Sequence, residues 1–330
     1  MKICVVGGTG HISTPLVQVL VTQGHAVTCF NRGQREPVPA GARLIKGDRQ
    51  ERQRFEGTLR EERFDAAIDM ICFTPEDAVS SVRAFHDVRH FVQCSTVCTY
   101  GLEYEWLPVT EEHPLRPCTP YGQHKAEADA VFLDAYERQG FPVTILKPST
   151  TYGPTQGLLR QIAWELSWLD RIRKGKPIVV CDEGRALHQH LHVEDAAWGF
   201  TQVLGKAHCV GHTYNLVSPE CITWAEYHRT AMRVLGRQVA LVSAPLAEIT
   251  AGHVPQSDIC REIFAHPTYY SGEKLCRAVP EFRPRIALAE GMRQVIGVME
   301  GAGRIPNSDL DDWEDRLIAE SQRHHRARDP

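Results

Sequence analysis

No stretch of this chain stays apolar for the roughly 18 residues that a membrane span requires, so no membrane partner is expected. Positive charge is not in excess either. Lys and Arg together number 37 against 41 Asp and Glu, a net charge of −4 over 330 residues. That balance gives no electrostatic reason to expect a nucleic acid or an anionic lipid surface as partner. Cysteine is present but not paired in sequence. The 11 cysteines include no CxxC, and the nearest two are Cys94 and Cys98. A scattered, odd-numbered set predicts reduced, mostly buried thiols rather than a disulfide framework or a zinc site. There is no internal repeat and no low-complexity linker. With a first strand expected from residue 2, no signal peptide is expected, and a cytoplasmic protein is the expectation.

What is present suits a globular protein: the apolar share is 42% and the charged share 24%, enough for one large α/β domain or two lobes. The stretch 1–33 organises it. Lys2-Ile3-Cys4-Val5-Val6 reads as a strand and runs into Gly7-Gly8-Thr9-Gly10-His11-Ile12-Ser13. Apolar residues at helical spacing follow (Leu16, Val17, Val19, Leu20), then Gly24, then a second strand at Ala26-Val27-Thr28-Cys29-Phe30. A helix that opens after a glycine turn points bare N–H groups and its positive dipole end at the turn. This is the context that makes a glycine motif a dinucleotide site. The third glycine position holds Ser13, a small residue compatible with close helix–strand packing.

Further strands are expected at 42–45, 64–71 and 90–95, alternating with helices at 50–62 and 75–88. That rhythm predicts a doubly wound parallel sheet. The exit of the second strand bears on the cofactor. A carboxylate there would bind the ribose hydroxyls of NAD and repel a 2′-phosphate. The chain has Asn31-Arg32 instead, and a guanidinium suits the phosphate of NADP. NADP(H) is favoured, with NAD(H) open if Arg32 only stacks on adenine.

The fifth strand empties into Ser95-Thr96, and Tyr121 and Lys125 follow, four apart and therefore on one helix face. Phenol is a poor base near neutrality. Lowering its pKa by ~3 units needs ~4 kcal/mol of differential interaction, which a neighbouring ammonium and an oxidised nicotinamide together supply. Tyr121 then takes a hydroxyl proton while hydride leaves the same carbon, or the reverse. Thr96 is expected to orient the substrate oxygen.

Gly7-Gly8-Thr9-Gly10-His11-Ile12, Ser95-Thr96 with Tyr100-Gly101, Tyr121-xxx-Lys125, Lys147-Pro148-Ser149-Thr150-Thr151-Tyr152-Gly153-Pro154 and His192-Val193-Glu194-Asp195-Ala196 occur in one order. In that order they resemble the NAD-dependent epimerase/dehydratase family, the extended short-chain dehydrogenases/reductases. The resemblance covers nearly the whole chain. It implies a Rossmann-type doubly wound parallel sheet with a smaller C-terminal α/β substrate lobe, often a homodimer, and a sugar-type, commonly nucleotide-sugar, substrate. It implies Tyr121 as base, Lys125 on the nicotinamide ribose and Thr96 in the Ser/Thr role. The dinucleotide would meet Gly7, Thr9, Gly10, His11, Ile12, Asn31, Arg32, Asp48 and Arg49. It would also meet Cys72, and Pro148 and Thr151 would line its nicotinamide end. Thr74, Thr150 and His188 would join Thr96 and Tyr121 on the substrate.

Departures narrow the reading. Where sugar-nucleotide dehydratases resemble one another in an Asp-Glu pair, this chain has Val97-Cys98, so elimination of water lacks its acid and base. His188 stands near a position where nucleotide-sugar members resemble one another in a diphosphate-gripping Arg, and Thr150 stands where Asn is common. A neutral imidazole is the weaker phosphate ligand. Three histidines at alternate positions, His188, His190 and His192, could also converge from a strand, but the family chemistry needs no metal and none is assigned. Residues 158–176 read as an amphipathic helix carrying Trp164 and Trp168, and 309–328 as a final helix docked by Trp313, Leu317 and Ile318.

Two interleaved lobes are expected, 1–152 with 190–217 for the dinucleotide and 153–189 with 218–330 for the substrate. The expected function is an NAD(P)-dependent sugar epimerase or a carbonyl/hydroxyl oxidoreductase. The alternative is a catalytically inactive nucleotide- or RNA-binding protein on the same fold, because Phe30-Asn31-Arg32-Gly33 also resembles a branch that includes chloroplast stem-loop RNA-binding proteins.

Overall fold

Short runs of β-branched and aromatic residues bounded by glycine or proline build the strands, and capped amphipathic segments build the helices. The computed structural model describes residues 1–35, 37–251 and 254–328. In chain order its elements begin β1 (Lys2–Val6), α1 (Ser13–Thr22), β2 (Ala26–Asn31), β3 (Arg43–Lys46), α2 (Arg52–Glu61), β4 (Ala66–Asp69), α3 (Pro75–Ala84), β5 (His90–Cys94), α4 (Pro120–Gln139), β6 (Val143–Pro148) and β7 (Thr150–Tyr152). They continue with α5 (Trp168–Lys174), β8 (Ile178–Cys181), β9 (Leu187–His192), α6 (Val193–Val203), β10 (Thr213–Leu216), β11 (Cys221–Thr223) and α7 (Trp224–Leu235). The chain ends with β12 (Leu241–Ala244), α8 (Leu246–Ala251), α9 (Glu273–Ala278), α10 (Leu288–Gly301) and α11 (Trp313–Arg328).

The first of two units contains Met1–Thr151, Leu191–Pro219 and Tyr270–Arg285. Its seven-stranded sheet runs β10-β6-β5-β4-β1-β2-β3, and every pairing is parallel. The order reverses between β1 and β4, where Val6 pairs with Asp69. In open α/β sheets the ligand crevice lies outside the carboxyl ends of the strands at such a switch point. Strands β4, β5 and β6 are buried along their whole length, as expected when helices cover both faces. One face packs Ile3, Val5, Leu16, Leu20 and Phe200 under α1 and α6. The other packs phenylalanines, among them Phe55, Phe85, Phe91, Phe132 and Phe141. Tyr270–Arg285, expected with the second lobe, groups with this unit because Leu275, Val279 and Phe282 join the first core.

The second unit contains Tyr152–His190, Glu220–Tyr269 and Ile286–Pro330. Strand β8 pairs with β12 in parallel, and β9 pairs with β11 in antiparallel register. Trp168, Trp224, Tyr227, Met292 and Met299 centre one of its cores. The helix expected over 158–176 is confined to Trp168–Lys174. Tertiary partners hold the residues before it instead. Arg160 is wholly buried and forks onto Glu314, and Gln161 Oε1 accepts Cys181 N at 2.9 Å. Trp164 is exposed, whereas Trp168 is buried with its Nε1 donating to Leu158 O at 2.9 Å. The final helix does dock through Trp313, Leu317 and Ile318. Among the described residues no helix is long and apolar enough to cross a membrane.

Candidate active site

Five strand ends of the first unit, those of β1, β2, β4, β5 and β6, deliver the candidate residues to the carboxyl end of the sheet. From β1 comes the glycine turn. Gly7 has φ +83°, and a Cβ there would stand 2.5 Å from Ile71, so only glycine allows the approach. The Ser13 hydroxyl, read from sequence only as small, ties the turn together: it accepts Gly10 N at 2.7 Å and donates to Gly7 O at 2.5 Å. Asn31, at the end of β2, braces the turn from the other side. Its Oδ1 accepts Gly8 N at 2.9 Å and its Nδ2 donates to Thr9 Oγ1 at 3.1 Å. Expected to contact the cofactor, Asn31 instead spends its amide on the loop.

Helix α1 opens with no side-chain cap and no acid in its first turn. Its leading N–H groups and dipole suit a diphosphate. The donor set around the turn therefore fits a dinucleotide. His11 sits at the end of the turn, and burial pushes its pKa down to about 4, against the pull of the Thr151 backbone. It is a neutral imidazole at pH 7. Arg32 is exposed beyond β2, and Lys46 pairs in register with Asn31 at the same corner. Asp48 closes a local turn by accepting Gln50 N at 2.9 Å.

From β4 comes the turn 70–74. Thr74, expected on the substrate, caps α3 by accepting Asp77 N at 3.2 Å; Pro75 at the helix start makes it a capping position. Arg49 also departs from expectation. It is buried, its Nη1 lies 3.0 Å from both oxygens of Asp69, and its Nη2 donates to Asp77 O and Ser81 Oγ at 3.0 and 3.1 Å. Both terminal nitrogens of this guanidinium are engaged by the protein itself.

From β5 comes Ser95-Thr96. The Thr96 hydroxyl accepts Cys98 N at 3.2 Å and so starts a 3-10 turn over Val97–Tyr100. Beneath it lies a buried ion pair, Lys147 with Asp129 at 3.0 Å. Ser95 Oγ donates to Asp129 at 2.6 Å, Lys147 to Thr99 Oγ1 at 2.6 Å, and Thr99 Oγ1 to Thr96 O at 3.0 Å. The Thr96 backbone is thus tied to the sheet. Helix α4 begins beside it because Thr119 caps it, accepting Gly122 N at 3.1 Å, with Pro120 in the first position. A Cβ on Gly122 would stand 2.6 Å from Cys98 O, so glycine here lets Tyr121 reach the 3-10 turn.

Tyr121 and Lys125 share the face that the spacing predicts. The Tyr121 hydroxyl end lies beside Thr96, while its ring is half-exposed and tilted against Phe73, 6.4 Å between centroids. Lys125 is buried and its Nζ donates to Cys72 O at 2.8 Å and Cys94 O at 2.6 Å. Its ammonium lies 4.9 Å from the centre of the Phe73 ring and 6.0 Å from that of Tyr121. The expectation that Lys125 depresses the phenol pKa is not met in the protein alone. Burial of the hydroxyl end, with Cys94 and Cys98 nearby, raises it above 10, and only Thr96 pulls it down. Phe73, which the sequence reading passed over, carries no motif signal; its exposed ring beside the tyrosine is a tertiary fact.

The end of β6 brings Pro148, buried, and β7 follows with the half-buried Thr150 and Thr151. His188 is the remaining departure. It is buried in the second unit, its Nδ1 is 2.9 Å from Thr268 Oγ1, and it stacks on Trp224 with centroids 5.0 Å apart. It is a core side chain rather than a substrate contact. His190 stacks on Tyr227 in the same cluster, at 4.2 Å.

The sequence profile of the NAD-dependent epimerase/dehydratase family matches residues 3–216. A 2′-dehydrokanamycin reductase from Streptomyces kanamyceticus is 26% identical over 86% of this chain and 81% of its own length. The chloroplast stem-loop binding protein of 41 kDa b from Arabidopsis thaliana is 24% identical over 92% of this chain and 80% of its own. A UDP-glucose 4-epimerase from Thermus thermophilus, solved in complex with NAD, superposes with a TM-score of 0.74 at 20% identity, covering 92% of this chain and 100% of its own. That last likeness speaks to the fold.

Proposed function

The chain belongs to the NAD-dependent epimerase/dehydratase family, and from that premise we propose that it moves a hydride and a proton at one carbon of a sugar-type substrate, with Thr96, Tyr121 and Lys125 as the reacting group of side chains. The observation that carries this reading is the placement of Tyr121 one helical turn before the buried Lys125, whose ammonium lies 6.0 Å from the tyrosine ring centre, with Thr96 opening the adjoining 3-10 turn. A dinucleotide, when bound, supplies the hydride acceptor or donor and, oxidised, a positive ring. The glycine turn, the uncapped start of α1 and the exposed Arg32 would hold it.

The protein's own residues then divide the work. Thr96 and Tyr121 hold the substrate oxygen between two hydroxyls. Tyr121 carries the proton. Its raised pKa keeps it protonated in the free protein, so it is set to donate to a carbonyl and needs an added positive charge to act as base. Lys125 has three donors, two of them given to backbone carbonyls, which leaves one for a ribose hydroxyl. NADP(H) is favoured over NAD(H): among the described residues the exit of β2 carries Asn31 and Arg32 rather than a carboxylate, the Asn31 amide is turned to the glycine turn, and Arg32 and Lys46 supply positive charge.

The test is to denature the purified protein and quantify released dinucleotide. Near-stoichiometric release supports an epimerase, which returns its hydride. An empty protein that binds NADPH supports a reductase. A protein that binds neither NADPH nor NADH refutes both and favours the binding-protein reading, for which the Arabidopsis relative speaks.

A further inference from the structure

Arg49 follows Asp48 and lies 20 residues before Asp69 in the chain, yet its guanidinium is the hub of a buried network. Arg49, Asp69, Asp77 and Ser81 are all at most 5% exposed. Ser81 Oγ accepts from Arg49 at 3.1 Å and donates to Asp69 Oδ2 at 2.7 Å. The Phe55 ring covers the guanidinium at 5.4 Å. A role confined to stability would need only that the charges be paired. Here each carboxylate also takes a backbone N–H from the turn after β4. Asp69 Oδ1 accepts Ile71 N at 3.0 Å, and Asp77 Oδ2 accepts Phe73 N at 3.1 Å. Those two amides flank Cys72, and the Cys72 carbonyl receives the Lys125 ammonium at 2.8 Å.

We infer that Arg49 is a positioning residue that sets the Lys125 ammonium through Asp69, Asp77 and the turn 71–73. The inference rests on the dinucleotide reading above, because Lys125 matters here as a dinucleotide contact. The planar fork of arginine can engage Asp69 in one direction and Asp77 O and Ser81 in another; a lysine point charge cannot span them. Loosening the fork frees the Cys72 peptide, and the ammonium follows its carbonyl. An error near 1 Å in such a group costs up to about a hundredfold where geometry matters.

The experiment compares Arg49→Lys, Ser81→Ala and, as a control, Phe141→Leu. Phe141 packs in the same unit at the amino-terminal end of β6 and loses stability without touching the turn. Dissociation constants for NADPH and NADH are read by titration, and amide hydrogen exchange is read over 70–74. Arg49→Lys is expected to weaken both dinucleotides about tenfold and to speed exchange over 70–74. Ser81→Ala, on α3 and away from Asp48, is expected to do the same to a smaller degree, about threefold. Phe141→Leu lowers the unfolding midpoint and leaves both affinities unchanged. If Arg49→Lys does not fold, Ser81→Ala decides the matter alone. Unchanged affinity in a folded Arg49→Lys or Ser81→Ala protein overturns the inference. Equal weakening by Phe141→Leu also overturns it, since stability alone would then explain the loss. Wild-type protein that binds neither dinucleotide instead overturns the functional reading on which the inference stands.

Discussion

Lowering the pH from 7 to 5 is expected to remove a large part of the second unit's stability. Three of its histidines are buried and neutral. Burial pushes His188 and His228 down to about 3 and takes His190 well below the usual imidazole range. In the unfolded chain each takes a proton near pH ~6.5. The folded pKa lies below the unfolded one, so the stabilisation is complete above about pH 6.5 and is lost as pH falls toward the folded values. Over that window each ring costs ~1.4 kcal/mol per pH unit. Between pH ~6.5 and pH ~5 that is ~2 kcal/mol each for His188 and His228, and His190 adds to the loss in the same direction. A domain has only ~5–15 kcal/mol to lose. Urea unfolding followed by tryptophan fluorescence at pH 7 and pH 5 measures the difference; Trp168 and Trp224 lie in the same core. A His228→Leu protein should lose less between the two pH values, by ~2 kcal/mol. Equal urea midpoints for the wild type at the two pH values would refute the reasoning, because the rings would then be exposed or charged in the fold.

Other expectations follow from the same contacts. Glu314→Ala leaves the buried guanidiniums of Arg160 and Arg171 facing an empty position and should cost ~3–5 kcal/mol of stability by denaturant titration. Tyr121→Phe should bind NADPH within about twofold of wild type while keto-sugar reduction, followed by NADPH absorbance, falls at least ~100-fold. Arg32→Glu should weaken NADPH by about tenfold or more and NADH far less, read as a ratio of dissociation constants.

What could be read from the sequence was local or periodic. The glycine turn follows an apolar run and precedes a 3.6-residue pattern, so the strand–turn–helix that opens the sheet was legible in the first 33 residues, whereas the switch point beside it depends on β4 and the strand order. Tyr121 and Lys125 are one helical turn apart, and the shared face followed from spacing alone. What failed depends on partners far along the chain. The resemblance implied Arg49 as a cofactor contact, but Asp77 and Ser81, 28 and 32 residues away, engage its fork. Residues 158–167 have a helical pattern, yet Arg160 is held by a carboxylate 154 residues later. His188 carried no sign that Trp224 and Phe264 would enclose it. The rise of the phenol pKa in the protein alone was not legible either, because it comes from burial of the hydroxyl end in the tertiary fold, against which Thr96 pulls.

Dinucleotide affinity of the wild type beside Lys125→Met, each freed of co-purified ligand, tests the central claim most directly. The account predicts micromolar binding of NADPH by the wild type and at least a tenfold loss (~1.4 kcal/mol) in Lys125→Met with the fold retained. Undiminished binding by Lys125→Met, or no binding by the wild type, would contradict it.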